Sequence, residues 1–305
     1  MGSKFRKASA DVLITGATSF VGRHLTRFLI AQGYSLAVVT RSKTHEVNSL
    51  GRVPVQVFEG DLSDQKFVST LPSARLGVVH LAASGTAPSD SSEEIMRDNC
   101  IASVNLLSYI LKTETPYLIF ASSMSVYGDV EQPVISFRTP CEPLTVYGAS
   151  KLVIERLLGN YHDTIPSIAI RLPAVLGSGA STHFVARLAS DALRSRPLNV
   201  FEPSALFNNV VHVDDLCIFL HHLLLNKTFD AKPFPIASTT PITIYEVADI
   251  FRRLMPNSLG INVSTSSRPS FYVDDSYART FLGYTSLSTQ QAIEKYAATI
   301  AAEIQ

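Results

Sequence analysis

Cysteine is scarce in this sequence, and its few cysteines follow no metal or disulfide pattern. The chain has 305 residues and three cysteines, Cys100, Cys141 and Cys217. No two of them form a C-x-x-C pair, and their number is odd. Zinc sites and the disulfide frameworks of secreted proteins use paired spacings. The sequence therefore predicts reduced, mostly buried thiols in a cytoplasmic protein.

Net charge and long apolar runs are also missing. Basic and acidic residues number 26 each, so the formal net charge is +0. This balance gives no general attraction to nucleic acid or to an acidic membrane surface. No apolar run approaches the roughly 18 residues of a membrane span, and the first ten residues lack the apolar core of a signal peptide. We expect a soluble protein without nucleic-acid or membrane partners.

The residues that are present alternate between strand-like and helical patterns. Hydrophobic residues make up 46% and charged residues 17% of the chain, which is typical of a globular protein. Apolar strands are predicted at residues 11–15, 35–40, 55–58, 76–81, 117–121 and 167–172. Helical spacing is found at 20–32, 93–112 and 147–161. Apolar strands separated by helices predict a parallel sheet that is covered on both faces.

This rhythm changes after residue 173. Shorter elements follow, interrupted at Pro203, Pro233, Pro241 and Pro256. We predict an α/β protein with a Rossmann, doubly wound domain at residues 1–173. A smaller C-terminal α/β substrate lobe is predicted at residues 174–305, interleaved with the first domain.

A glycine-containing turn lies between the first strand and the first helix. It runs TGATSFVG from Thr15 to Gly22, with Ser19 where a further glycine would be ideal. Glycine permits a tight turn, and the free N–H groups at the helix start can bind a pyrophosphate. An ordinary strand-turn-helix connection remains the alternative, because a short glycine pattern is weakly specific.

The end of the second strand selects between nicotinamide cofactors in such folds. An acidic residue there binds the ribose 2′-hydroxyl of NAD. Here the segment at residues 39–43 reads VTRSK, with no acid. Arg41 is suited to the 2′-phosphate of NADP, so NADP(H) is favoured over NAD(H). The alternative is a solvated loop arginine.

Two further motifs contain groups that can handle a proton. Tyr147 and Lys151 are four residues apart, which places them on one face of a helix, one turn apart. A neighbouring ammonium favours the phenolate of a tyrosine, so the pair can act as acid and base. Ser123 follows the fifth strand, where its hydroxyl could polarise a substrate oxygen. The alternatives are a chance Y-x-x-x-K spacing and a serine-rich turn.

Together these motifs resemble the extended short-chain dehydrogenase/reductases, which include sugar-nucleotide epimerases, dehydratases and reductases. The resemblance extends to GDL at 60–62, HLAA at 80–83, RLP at 171–173 and VHVDDL at 211–216. It implies a nicotinamide cofactor, with Ser123, Tyr147 and Lys151 as the catalytic residues. The predicted cofactor contacts are Gly16, Thr18, Ser19, Phe20, Val21, Gly22, Arg41, Asp61, Leu62, Leu81, Ala82, Ala83, Asn99, Ala121, Tyr147, Lys151 and Pro173.

Several reactions of the family are excluded, because this chain lacks the residues that those branches use. Dehydratases of the family have an Asp-Glu pair just after the active-site hydroxyl, where this chain has Met124 and Ser125. Related decarboxylases use a glutamate, and 3,5-epimerases a cysteine, at the place of Ser125. What remains is 4-epimerisation through a transient ketone, or reduction of a ketone.

The substrate class is the least specific part of the resemblance. Family members that bind a sugar-nucleotide diphosphate often have asparagine where this chain has Ala174, and arginine where it has Asn208. Arg268 is a candidate for a diphosphate contact, although it is equally compatible with a surface position. A nucleotide sugar is the leading substrate, and a non-nucleotide ketone or alcohol is the alternative. The predicted substrate residues are Ser84, Thr86, Ser123, Met124, Ala174, Asn208 and Arg268.

The sequence also gives hypotheses on a metal site, on the oligomeric state and on a non-catalytic role. His212, Asp214 and Asp215 are better explained by bracing of the second lobe than by a metal, so no metal is predicted. The resemblance implies a homodimer that pairs the helices at 93–112 and 147–161 with their copies. A non-catalytic, cofactor-binding regulatory protein is the third possibility, against which the intact Ser123, Tyr147 and Lys151 argue.

Overall fold

The computed structural model describes residues 10–41, 55–85, 89–180, 183–228, 230, 232–255, 259–264 and 270–303. The chain divides into two compact units, each assembled from separate segments. The first unit contains Met1–Gly128, Cys141–Ile170 and Leu220–Pro233. The second contains Asp129–Pro140, Arg171–Phe219 and Phe234–Gln305.

The strands and helices alternate along the chain. The strands are β1 (Ala10–Thr15), β2 (Leu36–Thr40), β3 (Val55–Glu59), β4 (Ala74–His80), β5 (Leu118–Ser123), β6 (Val134–Ile135), β7 (Ser167–Leu172), β8 (Ala174–Leu176), β9 (Leu198–Phe201), β10 (Leu206–Phe207), β11 (Val210–His212), β12 (Phe234–Pro235), β13 (Ile242–Thr243), β14 (Ile261–Ser264) and β15 (Tyr272–Val273). The helices are α1 (Phe20–Ala31), α2 (Gln65–Val68), α3 (Ser92–Met96), α4 (Ala102–Thr113), α5 (Val146–Asn160), α6 (Phe184–Leu193), α7 (Val213–Asn226), α8 (Ile244–Leu254), α9 (Ser276–Leu282) and α10 (Thr289–Ala302).

Among the described residues, seven strands form the central sheet in the order β12-β7-β5-β4-β1-β2-β3. The ladders that join β3, β2, β1, β4 and β5 are parallel. The five residues of β2 are all buried, as expected for strands with helices on both faces. The predicted Rossmann-type α/β fold is thus confirmed. The strand order reverses between β1 and β4, and ligands of such sheets bind at the carboxyl ends beside this reversal.

The helix predicted over residues 93–112 is interrupted. It consists of α3, a π-helical turn at Arg97–Ile101, and α4. A capping box between Ser91 and Glu94 fixes its start. The wider turn accommodates one extra residue, which changes the direction of the side chains that follow. The apolar spacing alone does not reveal such a turn.

The second unit has a core of its own. Helices α6, α8 and α10 bury apolar side chains that include Val185, Leu188, Val247, Phe251 and Ile293. Capping boxes at Thr243 and Ser288 fix the starts of α8 and α10.

Across the described ranges, the structure contains no helix long and apolar enough to cross a membrane.

Candidate active site

The turn between β1 and α1 is packed too tightly for side chains at its glycines. Gly16 has a φ of 71°, and a Cβ there would lie 2.7 Å from the backbone nitrogen of Ala82. A Cβ on Gly22 would lie 2.1 Å from the carbonyl oxygen of Gly16. Ser19 caps α1, its hydroxyl accepting a hydrogen bond from the Gly22 N–H at 3.1 Å. The turn therefore brings backbone N–H groups close to the ends of β1 and β4.

A cleft of about 270 Å³ opens beside this turn. It is lined by Gly16, Thr18, Ser19, Val39, Thr40, Arg41, Gly60, Asp61, Leu62, Leu81, Ala82, Ala83, Ser84, Asp98 and Ala102. Nine of these were predicted as cofactor contacts: Gly16, Thr18, Ser19, Arg41, Asp61, Leu62, Leu81, Ala82 and Ala83. Ser84, predicted as a substrate residue, also lines this cleft. Sequence reasoning missed Asp98, although it directly precedes Asn99 in the chain.

The Asp98 side chain is bonded to three other side chains. Its carboxylate forms ion pairs with Arg41 and Arg97 and accepts a hydrogen bond from the Ser84 hydroxyl at 2.8 Å. Burial raises the pKa of Asp98, but the bonds from Ser84 and Arg97 and the charge of Arg41 outweigh it. The net pKa lies below its ordinary value, so Asp98 is an anion near neutral pH.

Asn99 is bonded to Ser84, which lines the cleft, and to Ser150. It is 3% exposed, and its side chain bonds both the N–H and the carbonyl of Ser84, at 2.8 and 2.9 Å. It also donates to the Ser150 hydroxyl at 2.9 Å, which links the π-helical turn to α5. This bonding supports a structural role for Asn99 and gives no support to the predicted direct cofactor contact.

A buried polar chain supports the ends of β1 and β4. His80 lies 2.6 Å from the Thr15 hydroxyl through Nδ1, and 2.9 Å from the Ser103 hydroxyl through Nε2. Burial, together with the charge of Lys151, lowers the pKa of His80 to about 3. The imidazole is therefore neutral and serves as a bridge between two strands and α4.

Tyr147, Lys151 and Ser123 come together in the first unit. Lys151 is 3% exposed, and its ammonium donates to the Ala121 carbonyl at 2.8 Å and lies 5.8 Å from the centre of the Tyr147 ring. Burial lowers the pKa of Lys151 to about 8, while the charge of Glu155 raises it. Burial raises the pKa of Tyr147, and its hydrogen bond with Ser123 opposes that rise. A phenol that is bonded to a hydroxyl and has an ammonium near its ring is suited to acid–base chemistry.

Two neighbours of this group were not found from the sequence. Glu155 is 3% exposed and accepts a hydrogen bond from the Ser122 hydroxyl at 2.6 Å. A Cβ on Gly85, whose φ is 108°, would lie 2.9 Å from a ring carbon of Tyr147. Glu155 had a signal, since it repeats the four-residue spacing of Tyr147 and Lys151. Gly85 had none, because its contact depends on the folded chain.

Several predicted residues lie outside these groups. Thr86 and Arg268 fall outside the described residues. Phe20, Val21 and Gly22 form the first turn of α1, and Met124 begins the short 3₁₀ turn at Met124–Val126. Pro173 and Ala174 belong to the second unit.

Asn208 also belongs to the second unit, and its amide binds backbone groups of that unit. It accepts from the Val273 N–H at 2.7 Å and donates to the carbonyls of Val273 and Ser238 at 2.9 and 3.2 Å. Both amide hydrogens are thus engaged, so this structure gives no support to the predicted substrate contact.

Within the described ranges, no three His, Cys, Asp or Glu residues are grouped to hold a metal ion.

Comparison with known proteins identifies the family to which this chain is similar. The model of the NAD dependent epimerase/dehydratase family matches residues 12–236. A UDP-glucose 4-epimerase from Halalkalibacterium halodurans is 22% identical over 311 residues, covering 91% of this chain and 92% of that protein. A D-erythronate dehydrogenase from Cupriavidus necator is 30% identical over 178 residues, covering 54% of this chain and 55% of that protein.

Solved structures show the same architecture over nearly the whole chain. MoeE5 in complex with UDP-glucuronic acid and NAD has a TM-score of 0.78 at 25% identity, covering 96% of this chain and 99% of that one. The family match, over residues 12–236, spans well over half of the chain. The chain belongs to the NAD dependent epimerase/dehydratase family, within the extended short-chain dehydrogenase/reductases.

Proposed function

We propose that this chain is an NAD(P)-dependent enzyme that acts on a nucleotide sugar by 4-epimerisation or 4-keto reduction. The observation that carries the proposal is Tyr147, hydrogen-bonded to Ser123 and near the buried Lys151 ammonium. The first unit, with the glycine turn and its cleft, is assigned to the cofactor. The second unit is assigned to the substrate.

The residues of the first unit fit a nicotinamide dinucleotide. The turn at Gly16 packs against Ala82 so closely that only glycine fits there. The start of α1 presents backbone N–H groups of the kind that bind a pyrophosphate. When bound, the cofactor supplies hydride transfer. Ser123 orients the substrate oxygen, and the Tyr147 hydroxyl takes up or releases its proton. Lys151 favours the phenolate through its charge, and its bond to the Ala121 carbonyl fixes its position.

Two findings support a nucleotide sugar. The UDP-glucose 4-epimerase from Halalkalibacterium halodurans matches this chain over 92% of the length of that enzyme. MoeE5 is structurally similar to this chain and was solved with UDP-glucuronic acid and NAD.

The residues after Ser123 argue against dehydration. Met124 and Ser125 provide no second acid–base couple, which elimination of water needs. The remaining chemistry needs only hydride and proton transfer.

A non-nucleotide alcohol or ketone is the second candidate, with NADPH as the reductant where the substrate is a ketone. Ala174 has no polar side chain, and both amide hydrogens of Asn208 are engaged by the backbone, so neither offers a donor to a diphosphate. The D-erythronate dehydrogenase acts on such a small molecule and is 30% identical over about half of this chain. A panel of UDP-sugars and small hydroxy acids distinguishes the two candidates.

Arg41 favours NADP(H) over NAD(H) in this proposal. Arg41 directly follows the second strand, and residues 39–43 contain no acid that could bind a ribose 2′-hydroxyl. Identification of the nucleotide released from the denatured protein tests the assignment. Close to one NAD(H) per chain supports an epimerase and contradicts the NADP(H) preference. An empty protein that binds NADPH more tightly than NADH supports a reductase.

Glu155 is expected to set the pH range of activity. Lys151, with a pKa of about 8, is charged below that pH and loses its charge as the pH rises through it. Because Glu155 raises this pKa, Glu155→Gln is expected to move the alkaline limb of kcat/KM to lower pH. Ser122→Ala, which keeps the carboxylate, serves as the control. An unchanged or upward-shifted limb in Glu155→Gln would contradict the assignment.

A homodimer is proposed through the π-helical turn, α4 and α5. Ile101, Val104, Leu111 and Val153 are 51%, 45%, 43% and 42% exposed, an apolar face of the kind that mediates association. Val104→Asp is expected to convert a dimer to a monomer in light scattering after size exclusion. Phe281→Asp, at an exposed position on α9, is expected to leave the dimer intact. A wild-type monomer at micromolar concentration would contradict this proposal.

A further inference from the structure

The cleft contains an acid that the second strand lacks. Nucleotide-binding folds of this type take the carboxylate for the ribose 2′-hydroxyl from the end of the second strand, where this chain has Val39, Thr40 and Arg41. Asp98 lines the same cleft as Arg41, although it is 57 residues away in sequence. It is presented by the π-helical turn, which belongs to a different part of the unit.

Asp98 is already paired with Arg41 and with Arg97. The Asp98 carboxylate is 8% exposed and pairs with the Arg41 guanidinium, which is 60% exposed. Arg97 holds the other carboxylate oxygen at 2.8 Å, and the Ser84 hydroxyl donates at 2.8 Å. The Asp98 carboxylate is therefore held in the cleft wall by several groups, while the Arg41 guanidinium is the more exposed partner.

The two cofactors differ by the charge that they bring to this pair. A 2′-phosphate adds negative charge, must compete with Asp98 for Arg41, and is repelled by a carboxylate in the same partly buried cleft. A 2′-hydroxyl is neutral and can donate to a carboxylate. Arg41 and Asp98 thus act in opposite directions on cofactor choice.

We propose that Asp98 is a specificity-determining residue that opposes binding of a 2′-phosphate and supports binding of a 2′-hydroxyl. This inference rests on the proposed nucleotide-binding function of the cleft. It makes the preference of this chain a balance between Arg41 and Asp98 rather than a property of the second strand alone. Removal of the Asp98 charge releases Arg41 for the phosphate.

Calorimetric titration of the full chain with NADPH and NADH tests the inference without any substrate. Asp98→Asn is nearly isosteric and still accepts from Ser84. It is expected to raise the affinity for NADPH relative to NADH by about tenfold, the factor that corresponds to 1.4 kcal/mol. Adenosine 2′,5′-bisphosphate and AMP isolate the same difference at the ribose. Asp98→Ser removes the same charge with a smaller side chain and is expected to change the ratio in the same direction.

Glu93→Gln is the matched control, because it removes one exposed negative charge from α3, whose residues do not line the cleft. Its NADPH to NADH ratio is expected to equal that of the wild type. A ratio that stays unchanged, or moves toward NADH, in both Asp98 variants overturns the inference while the proposed function stands. A wild-type chain that binds none of the four nucleotides overturns the proposed function and the inference together.

Discussion

Tyr147→Phe is expected to lower kcat by a factor of about 10² to 10⁴, the range that general acid–base catalysis supplies. The substitution removes only the hydroxyl that transfers the proton and that bonds Ser123. The ring remains packed against the position of Gly85, where there is no room for a Cβ. Nucleotide affinity is therefore expected to change little, and steady-state turnover with calorimetric binding measures both quantities.

Tyr161→Phe is the matched control for this prediction. Tyr161 directly follows α5 and is 39% exposed, so loss of its hydroxyl is expected to leave kcat and the melting temperature unchanged. Full turnover in Tyr147→Phe would remove Tyr147 from the proton transfer. A wild-type chain that binds nucleotide but turns over no member of the substrate panel would favour the regulatory alternative.

The parallel sheet was predictable because its strands are apolar along their whole length. The strand predicted at residues 167–172 matches β7, and the other predicted strands differ from the observed ones by one or two residues at their ends. The strand predicted to end at residue 121 continues to Ser123. Serine is compatible with the end of a strand, so composition alone does not locate this boundary.

The cleft was predictable where the motifs lie at the ends of strands. Gly16, Asp61 and Ala82 follow different strands of one parallel sheet, and such carboxyl ends meet at one edge. Asp98 follows no strand, and its place in the cleft depends on the π-helical turn. The spacing of apolar residues in residues 93–112 is the same with or without that turn, so sequence reasoning could not place it.

Polar residues were the least predictable, because their partners are set by the folded chain. Asn208 was predicted from its position before the VHVDDL motif, yet its partners are backbone groups at Ser238 and Val273. Asn99 likewise binds Ser84 and Ser150, 15 and 51 residues away. An asparagine side chain can satisfy backbone groups or a ligand equally well. Only the three-dimensional arrangement decides between these uses.

Gly22→Ala is expected to destabilise the chain by about 1–3 kcal/mol, as inserted atoms do in a packed interior. Its Cβ would lie 2.1 Å from the Gly16 carbonyl oxygen, which is a backbone atom and cannot rotate away. That carbonyl accepts the Ser19 N–H at 3.0 Å, so relief of the collision displaces the turn. Nucleotide affinity is expected to fall by at least about tenfold, the equivalent of 1.4 kcal/mol.

Gly159→Ala separates this steric effect from the general effect of replacing glycine in a helix. Gly159 lies in α5, and a Cβ there would meet no atom within 4 Å. Alanine is favoured over glycine in a helix by about 0.5–1 kcal/mol, so this variant is expected to be more stable than the wild type. Urea unfolding measures the free energy of unfolding of both variants. If contact with Gly16 decides the outcome, this free energy is lower than that of the wild type in Gly22→Ala and higher in Gly159→Ala. Equal stability of the two would show that the turn yields to the added methyl group, and the tight packing of the turn would then not explain the glycine at position 22.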